Sequence, residues 1–349
     1  MNSFKLGIFG LNSSSGVSFT KKKWTANSDQ IAKTIKFLDK SNKFDFILPI
    51  SSWVNFGGLS KAHSKSYETF SFASIFLPQT KKIKIYSTVH VPFLHPIYAA
   101  RLSSTINSFF KSRHGINIVC GWSKKTFQTF DSKKKKDNLL NKRYKYATEW
   151  LKVYKKALIE NKFSFNGKFF NIKDCELLPK TKKNDHQIIS AAYSHEGQNF
   201  ANKNCDILFT FFSNFKKSKN EIISIKRKNK KIKIYTTIHI VCRKTNSEAE
   251  KYFKYYSIKH GDFIAAKNFV NQMPNLYLRQ ANLKRLDLFT ASLGSFVIIG
   301  DPKKVANQLK QIKNCGFDGV AISFVDYYKE SKFFINHVLK KKLINFYKK

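Results

Sequence analysis

Long apolar runs are missing from this 349-residue sequence, and with them any segment able to cross a bilayer as a helix. The N-terminal Leu6-Gly7-Ile8-Phe9 reads as a strand rather than as part of a cleavable signal, so a cytoplasmic protein with no membrane partner is expected. Cysteine is sparse. Cys120, Cys175, Cys205, Cys242 and Cys315 are odd in number, widely spaced and without a CxxC pair or a histidine at metal spacing, which excludes a disulfide framework and a zinc site and leaves buried free thiols. Phosphate-loop, GxGxxG and HExxH signatures are absent, as is any Ser/His/Asp arrangement with an activated nucleophile.

Negative charge is scarce too. Only 22 Asp and Glu face 64 Lys and Arg, for a formal net charge of +42. Such a balance ordinarily points to nucleic acid. Here arginine is confined to Arg101, Arg113, Arg143, Arg227, Arg243, Arg279 and Arg285, and the lysines are spread along the chain among many Asn, Ile and Phe, the mixture that AT-rich codons produce. Phosphate-reading surfaces lean instead on the bidentate arginine fork and cluster their cations on one element. No nucleic-acid partner is expected, although the positive field can draw in an anionic substrate or a phosphorylated cofactor.

What is present is a cadence. Short runs rich in Ile, Val and Phe alternate with stretches of helical period, as in βαβ units. Strands are predicted over Lys5–Gly10, Phe44–Ile50, Ile83–His90, Gly115–Cys120, Gln187–Ala191, Asp206–Thr210, Lys231–Cys242 and Gly319–Phe324. Helices are predicted near Asp29–Leu38, Tyr67–Leu77, Ile97–Phe110 and Arg143–Ile159, the last burying Tyr146, Trp150, Val153, Tyr154 and Leu158 on one face. Asp301-Pro302 caps a further helix with Val305, Leu309 and Ile312 as its buried stripe. Asn166-Gly167 signals an insertion hairpin near 163–172, and the muddled stretch near 250–292 reads as a helical insertion over the barrel mouth. The Lys133–Lys136 run reads as a solvated loop and the lysine-rich C-terminus as a solvated tail. Eight strands with intervening helices predict an α/β fold, a (β/α)8 TIM barrel spanning 1–349 as one domain.

Strand residues two apart share a face. Tyr86, Thr88 and His90 therefore point one way from the third strand, and Tyr235, Thr237 and His239 from the seventh. Buried polar groups need partners, which either a ligand in the barrel mouth or a self-satisfied core network supplies. Asn117, an amide inside an apolar strand, suits either a bound heterocycle or a structural bond to backbone. Ser194 with Gly197 opens a helix, the arrangement of a phosphate site and equally of a plain N-cap.

Taken in order, several segments resemble the bacterial luciferase-like flavin monooxygenases. They are Phe4 to Gly10; Phe44 to Ile50 with Trp53 and Phe56-Gly57-Gly58; Thr88 to Pro92 with His95-Pro96 and Ala99-Ala100-Arg101; and, most specifically, Gly115-Ile116-Asn117-Ile118-Val119-Cys120-Gly121-Trp122. Arg143-Tyr144, Glu149-Trp150, Phe165 to Phe170, Cys205 to Phe209, Gly300-Asp301-Pro302 and Gly316 to Val320 continue the match, which lies nearest the pyrimidine, alkanesulfonate and dimethylsulfone monooxygenase branch.

The resemblance implies a two-component enzyme that uses reduced FMN and O2 to oxygenate a small organic substrate, an organosulfur compound or a pyrimidine. A separate NAD(P)H:flavin reductase and a homo-oligomer, dimer or larger, are implied as well. It places Ser51, Ser52 and Thr88 beside the flavin, Asn117 on its ring system, Thr126 where the pyrimidine branch has an acidic flavin contact, and Arg143, Tyr144 and Ser194 at the phosphate. His239 matches a functional histidine, and with His90 it is the candidate for proton work. The chain departs from the pattern at Ser51 and Ser52, where others carry an apolar and a basic residue, at Thr126, and at Thr237, where sulfonate enzymes have an arginine. A flavin carrier or sensor without oxygenase activity is the alternative these departures keep open.

Overall fold

The computed structural model describes residues 4–22, 24–130, 133–182, 185–273 and 276–339. In chain order its elements are β1 (Lys5–Phe9), α1 (Ser28–Ser41), β2 (Phe46–Leu48), α2 (Thr69–Phe76), β3 (Lys84–His90), α3 (Pro96–Phe109), β4 (His114–Val119), α4 (Lys124–Thr129) and α5 (Lys133–Ile159). A hairpin of β5 (Lys162–Asn166) and β6 (Asn171–Glu176) precedes β7 (Ile188–Ala191), α6 (His195–Asn204), β8 (Ile207–Phe211), α7 (Phe215–Lys228) and β9 (Lys233–Cys242). The insertion comprises α8 (Asn246–Lys254), a π-helical turn at Tyr255–Lys259, α9 (Phe263–Asn271), α10 (Leu276–Leu283) and α11 (Leu286–Ser292). The described residues end with β10 (Phe296–Gly300), α12 (Pro302–Asn314), β11 (Gly319–Ser323), α13 (Tyr327–Phe334) and a second π-helical turn at Ile335–Leu339.

Eight strands close a parallel barrel in the order β1-β2-β3-β4-β7-β8-β9-β11, with β11 returning to β1. This is the expected (β/α)8 barrel. Its floor is aromatic. The Phe46 ring lies 5.3 Å from Tyr235, stacked, and 5.8 Å from Tyr86. Gly7 has no Cβ because one would sit 2.3 Å from the Phe46 ring, and Gly115 leaves the same room for Tyr86. Alternation then lifts the next inward residues, Thr88, Asn117, Phe209 and Thr237, toward the C-terminal mouth, the face on which barrel enzymes place their sites.

The helix layer follows the predicted stripes. On α5, Trp150, Val153, Tyr154 and Leu158 are buried, with the Trp150 and Tyr154 rings stacked at 5.0 Å. On α12, Asp301 caps the Lys304 amide while Val305, Leu309 and Ile312 are buried.

Four expectations need correction. Lys133–Lys136 is not a loop but the first turn of α5. Lysine is a good helix former, and the apolar stripe downstream sets a phase the run simply extends. Phe296–Gly300 is a strand that was not anticipated, and it pairs with the upper half of β9 beyond the end of β8. The hairpin does not turn on Asn166-Gly167 alone, because the strands end at Asn166 and resume at Asn171. Its loop is instead held by the Glu149 carboxylate, which accepts from the amides of Lys168, Phe169 and Phe170 at 2.6 to 3.0 Å. Finally, Cys175 and Cys205 are only half-buried, unlike the other three cysteines. The C-terminal lysine-rich tail lies outside the described residues.

The insertion is bolted over the barrel mouth. The Asp262 carboxylate accepts from Ser60 N at 2.6 Å and Ala265 N at 3.0 Å, and its own amide donates to Phe19 O at 2.8 Å. One residue, through its amide and its carboxylate, thereby joins the loops after β1 and β2 to α9. Around it Phe19, Phe56, Ala265, Val270 and Phe289 form a separate apolar cluster. Among the described residues no helix is long and apolar enough to cross a membrane.

Candidate active site at the barrel mouth

Hydrogen bonds order the mouth and leave buried polar atoms over. The Thr88 hydroxyl donates to Pro49 O at 2.6 Å and accepts from the Asn117 amide nitrogen at 3.1 Å. Because a carbonyl can only accept, this sequence fixes the direction of the Asn117 amide and turns Oδ1 away as an acceptor. That oxygen is buried and has no partner. On the opposite wall, Thr237 Oγ1 and His239 Nε2 are likewise buried without partners. Buried polar atoms are nearly always satisfied, and a ligand in the mouth is one source of partners for these three inward-facing atoms.

The two histidines are held by opposite ring nitrogens. His90 Nε2 lies 3.0 Å from Ser51 O, so that nitrogen donates and Nδ1 is bare. His239 Nδ1 lies 2.9 Å from Ser323 Oγ, which also lies 3.3 Å from Ile238 O, and His239 Nε2 has no partner. Burial disfavours both imidazolium forms. It lowers the His90 pKa below the usual histidine range, against the opposing pull of the Ser51 carbonyl, and brings His239 down to about 3. At neutral pH both rings are uncharged. The Tyr256 ring, from the insertion, stands 6.0 Å from His239 and closes this side of the mouth.

A second cluster forms where β7 meets α6. Ser194 caps α6, its Oγ accepting from Gly197 N at 3.2 Å, and the Tyr144 hydroxyl lies 3.2 Å from the same oxygen. A Cβ on Gly197 would stand 2.5 Å from that hydroxyl, so the glycine is what lets Tyr144 reach the helix start. The Arg143 guanidinium packs 4.9 Å over the Tyr144 ring and reaches Gly121 O at 3.4 Å. Gly121 offers that carbonyl by turning at a φ of +97°, a conformation side chains disfavour. Helix-start amides, a hydroxyl pair and one guanidinium are thus gathered in one cluster, groups of the kind that bind phosphate.

The structure thus brings Arg143, Tyr144 and Ser194 together, joins Thr88 to Asn117, and joins His90 to the Ser51 backbone. Ser52 turns back on its own loop, its hydroxyl donating to Val54 O at 3.0 Å. Thr126 is buried in α4, its amide donating to Ser123 Oγ at 3.2 Å. Tyr86 belongs to the self-satisfied core, its hydroxyl donating to Gln187 Oε1 at 2.6 Å. Three participants escaped sequence reasoning: Ser323, the Pro49 carbonyl and Tyr256. None carries a local signal, since each acts through a contact across the barrel.

A closed parallel barrel with unpartnered hydrogen-bonding groups at its C-terminal mouth has the arrangement of a barrel enzyme. The comparisons agree. Residues 28–319 match the luciferase-like monooxygenase family, and the chain belongs to that family. It is similar to the pyrimidine monooxygenase RutA of Acinetobacter baylyi, with 24% identity over 297 residues covering 81% of this chain and 79% of that one. Its match to the RutA of Serratia proteamaculans is 31% over 182 residues, 52% of this chain and 49% of that one. The fold is shared with a riboflavin lyase, RcaE, solved with modified FMN and riboflavin: TM-score 0.83 and 14% identity over 97% of this chain and 91% of that one. The chemistry of the class is flavin-dependent oxygenation.

Proposed function

We propose that the chain binds reduced FMN in the barrel mouth and passes one atom of O2 to a small, uncharged organic substrate, the reduced flavin coming from a separate NAD(P)H:flavin reductase. The observation that carries this reading is the unpartnered, direction-fixed Asn117 Oδ1 on the barrel face that also carries the phosphate cradle of Arg143, Tyr144 and Ser194. An acceptor for a ring N–H and a cradle for a terminal phosphate are the two ends an FMN molecule needs held.

Bound flavin supplies the electrons and activates dioxygen. The chain's own residues hold and shield. Asn117 orients the ring edge, Arg143 and the start of α6 fix the phosphate, and the insertion under Tyr256 keeps water out. His90 and His239, both neutral, take a proton at Nδ1 and Nε2 respectively. The substrate class follows from the lining. At the mouth end the inward positions Thr88, His90, Asn117, Thr237 and His239 carry no Lys, Arg, Asp or Glu, and the lysines that share the inward face, Lys5, Lys84 and Lys233, sit at the opposite ends of their strands. With Thr237 offering only a hydroxyl, an uncharged ring such as a pyrimidine suits this lining better than a sulfonate anion.

Fluorescence titration tests the cradle. FMN is expected to bind ~10-fold or more tightly than riboflavin, the worth of charge-assisted hydrogen bonds to a phosphate, and Ser194→Ala with Arg143→Ala is expected to erase that ratio while sparing riboflavin. Equal affinity for the two flavins would remove the phosphate assignment. Turnover tests the activity. Uracil incubated with enzyme, reduced FMN and O2 is expected to give a product heavier by one oxygen atom. Tight FMN binding with hydrogen peroxide as the sole product across pyrimidine, sulfone and sulfonate substrates speaks for a carrier instead.

A further inference from the structure

We infer that Ser323 is a positioning residue that locks His239 as the Nδ1–H tautomer, so that Nε2 faces the barrel mouth as a bare acceptor and base rather than as a hydrogen-bond donor. The argument starts from proton bookkeeping. Ser323 Oγ has two neighbours, Ile238 O at 3.3 Å and His239 Nδ1 at 2.9 Å. The carbonyl can only accept, so with the serine proton directed to it Oγ is left to accept from the imidazole, which then donates at Nδ1. Neutral imidazole carries one N–H, which leaves Nε2 with a lone pair.

Placement makes that lone pair useful. β11 and β9 pair with Ser323 opposite His239, and Thr237, two residues earlier on the same face, is also orphaned. Both Ser323 and His239 are fully buried, so no water competes for either nitrogen. The device is an interstrand pair separated by 84 residues in sequence, set at the end of the barrel where ligands enter. A donor at Nε2 would polarise a substrate oxygen; an acceptor there instead receives an N–H or O–H and can remove its proton. Ser323 chooses between these two chemistries without touching the substrate. What the base acts on rests on the function proposed above, whereas the tautomer does not.

The test is nitrogen NMR on the whole protein with 15N-labelled histidine, His239 being assigned by the signal that His239→Gln removes. In the wild type at neutral pH, His239 is expected to show a protonated Nδ1 and an unprotonated Nε2. Ser323→Ala is expected to shift the tautomer ratio roughly five-fold or more toward Nε2–H, the equilibrium worth of one hydrogen bond, and Ser323→Thr, which restores the hydroxyl, to reverse that shift. A wild-type spectrum with Nε2 protonated, or with both nitrogens protonated, overturns the inference and needs no variant to fold. An unchanged ratio in a folded Ser323→Ala protein overturns the role of Ser323. FMN titration of the same samples separates the two claims: a protein with the expected tautomer that binds no flavin sinks the proposed function alone, and a flavin-binding protein with the wrong tautomer sinks this inference alone.

Discussion

The protein is expected to unfold cooperatively on mild acidification, with a midpoint between about pH 4 and 5.5, well above the pH at which carboxylate titration alone denatures most domains. The cause is a set of histidines buried as neutral rings. Burial in the apolar insertion cluster brings His63 down to about 4, although its Nε2 donates to Gly16 O at 2.7 Å and partly opposes the shift. His186 is likewise at about 4, lowered by burial, while His114, 5.7 Å away ring to ring, is pushed well below the usual range by burial and then by His186 itself. His239 adds a fourth ring at about 3.

The sign follows from proton uptake. Each folded pKa lies below the unfolded value of 6.5, so in the window between them the unfolded chain binds more protons than the native one. Stability is therefore complete above pH 6.5 and falls as pH drops through the window toward the folded values. One ring loses about 1.4 kcal/mol per pH unit, and four together lose roughly 5 kcal/mol per unit, against a whole-domain stability of roughly 5–15 kcal/mol. The net charge of +42 adds self-repulsion in the same direction. Far-UV circular dichroism and tryptophan fluorescence across a pH series measure the midpoint. His114→Gln is expected to flatten the stability-versus-pH slope below pH 6.5, whatever it does to stability at pH 7.5. Native spectra persisting to pH 3 would show that the buried rings find proton partners as they charge.

None of these histidines announces its burial in the sequence. His63, His114 and His186 sit in polar or mixed stretches, and what neutralises them is a set of tertiary neighbours: Gly16 for the first, Ser87 for the second, Asn107 and Tyr154 for the third. The barrel itself was far more legible. Its strands announce themselves by branched apolar runs at βαβ spacing, because burial on both faces demands such runs wherever they occur. Phe296–Gly300 is as apolar as any of them, yet it fell between the muddled insertion and the clear Asp301-Pro302 cap, and its role of extending the wall past β8 has no local signature. Asn117 and Ser194 were readable for the opposite reason. An amide within an apolar strand and a serine before a glycine at a helix start each break a local rule, and sequence reasoning finds rule-breakers. Ser323 breaks no rule, since a serine at the end of a strand is ordinary until the strand opposite places a histidine against it.

The same blindness hides the contact that secures the lid, and its removal is expected to be the costliest single change near the mouth. Arg243, just past β9, donates to Glu330 Oε1 at 2.7 Å, while Glu330 Oε2 accepts from Val325 N at 3.1 Å. Glu330 is 8% exposed, so its carboxylate sits in a dry setting: burial raises its pKa above the ordinary carboxylate value, with Arg243 opposing that rise. The guanidinium also packs 3.7 Å over the Tyr252 ring, which ties α8 to the barrel end. Arg243→Met leaves a buried carboxylate without its cation and a tyrosine without its cover, a loss of roughly 3–5 kcal/mol. In a chain of this size that lowers Tm by roughly 5–10 °C. Because Tyr256 follows on the same segment and closes over His239, the loosened lid is also expected to admit water and divert reduced flavin to hydrogen peroxide. Arg243→Met with Glu330→Gln is expected to recover at least half of the lost stability, since the second change removes the orphaned charge. Calorimetry on the two single variants and the double closes the cycle. Additive losses would mean that the pair is a surface decoration and that α8 is held by its apolar contacts alone.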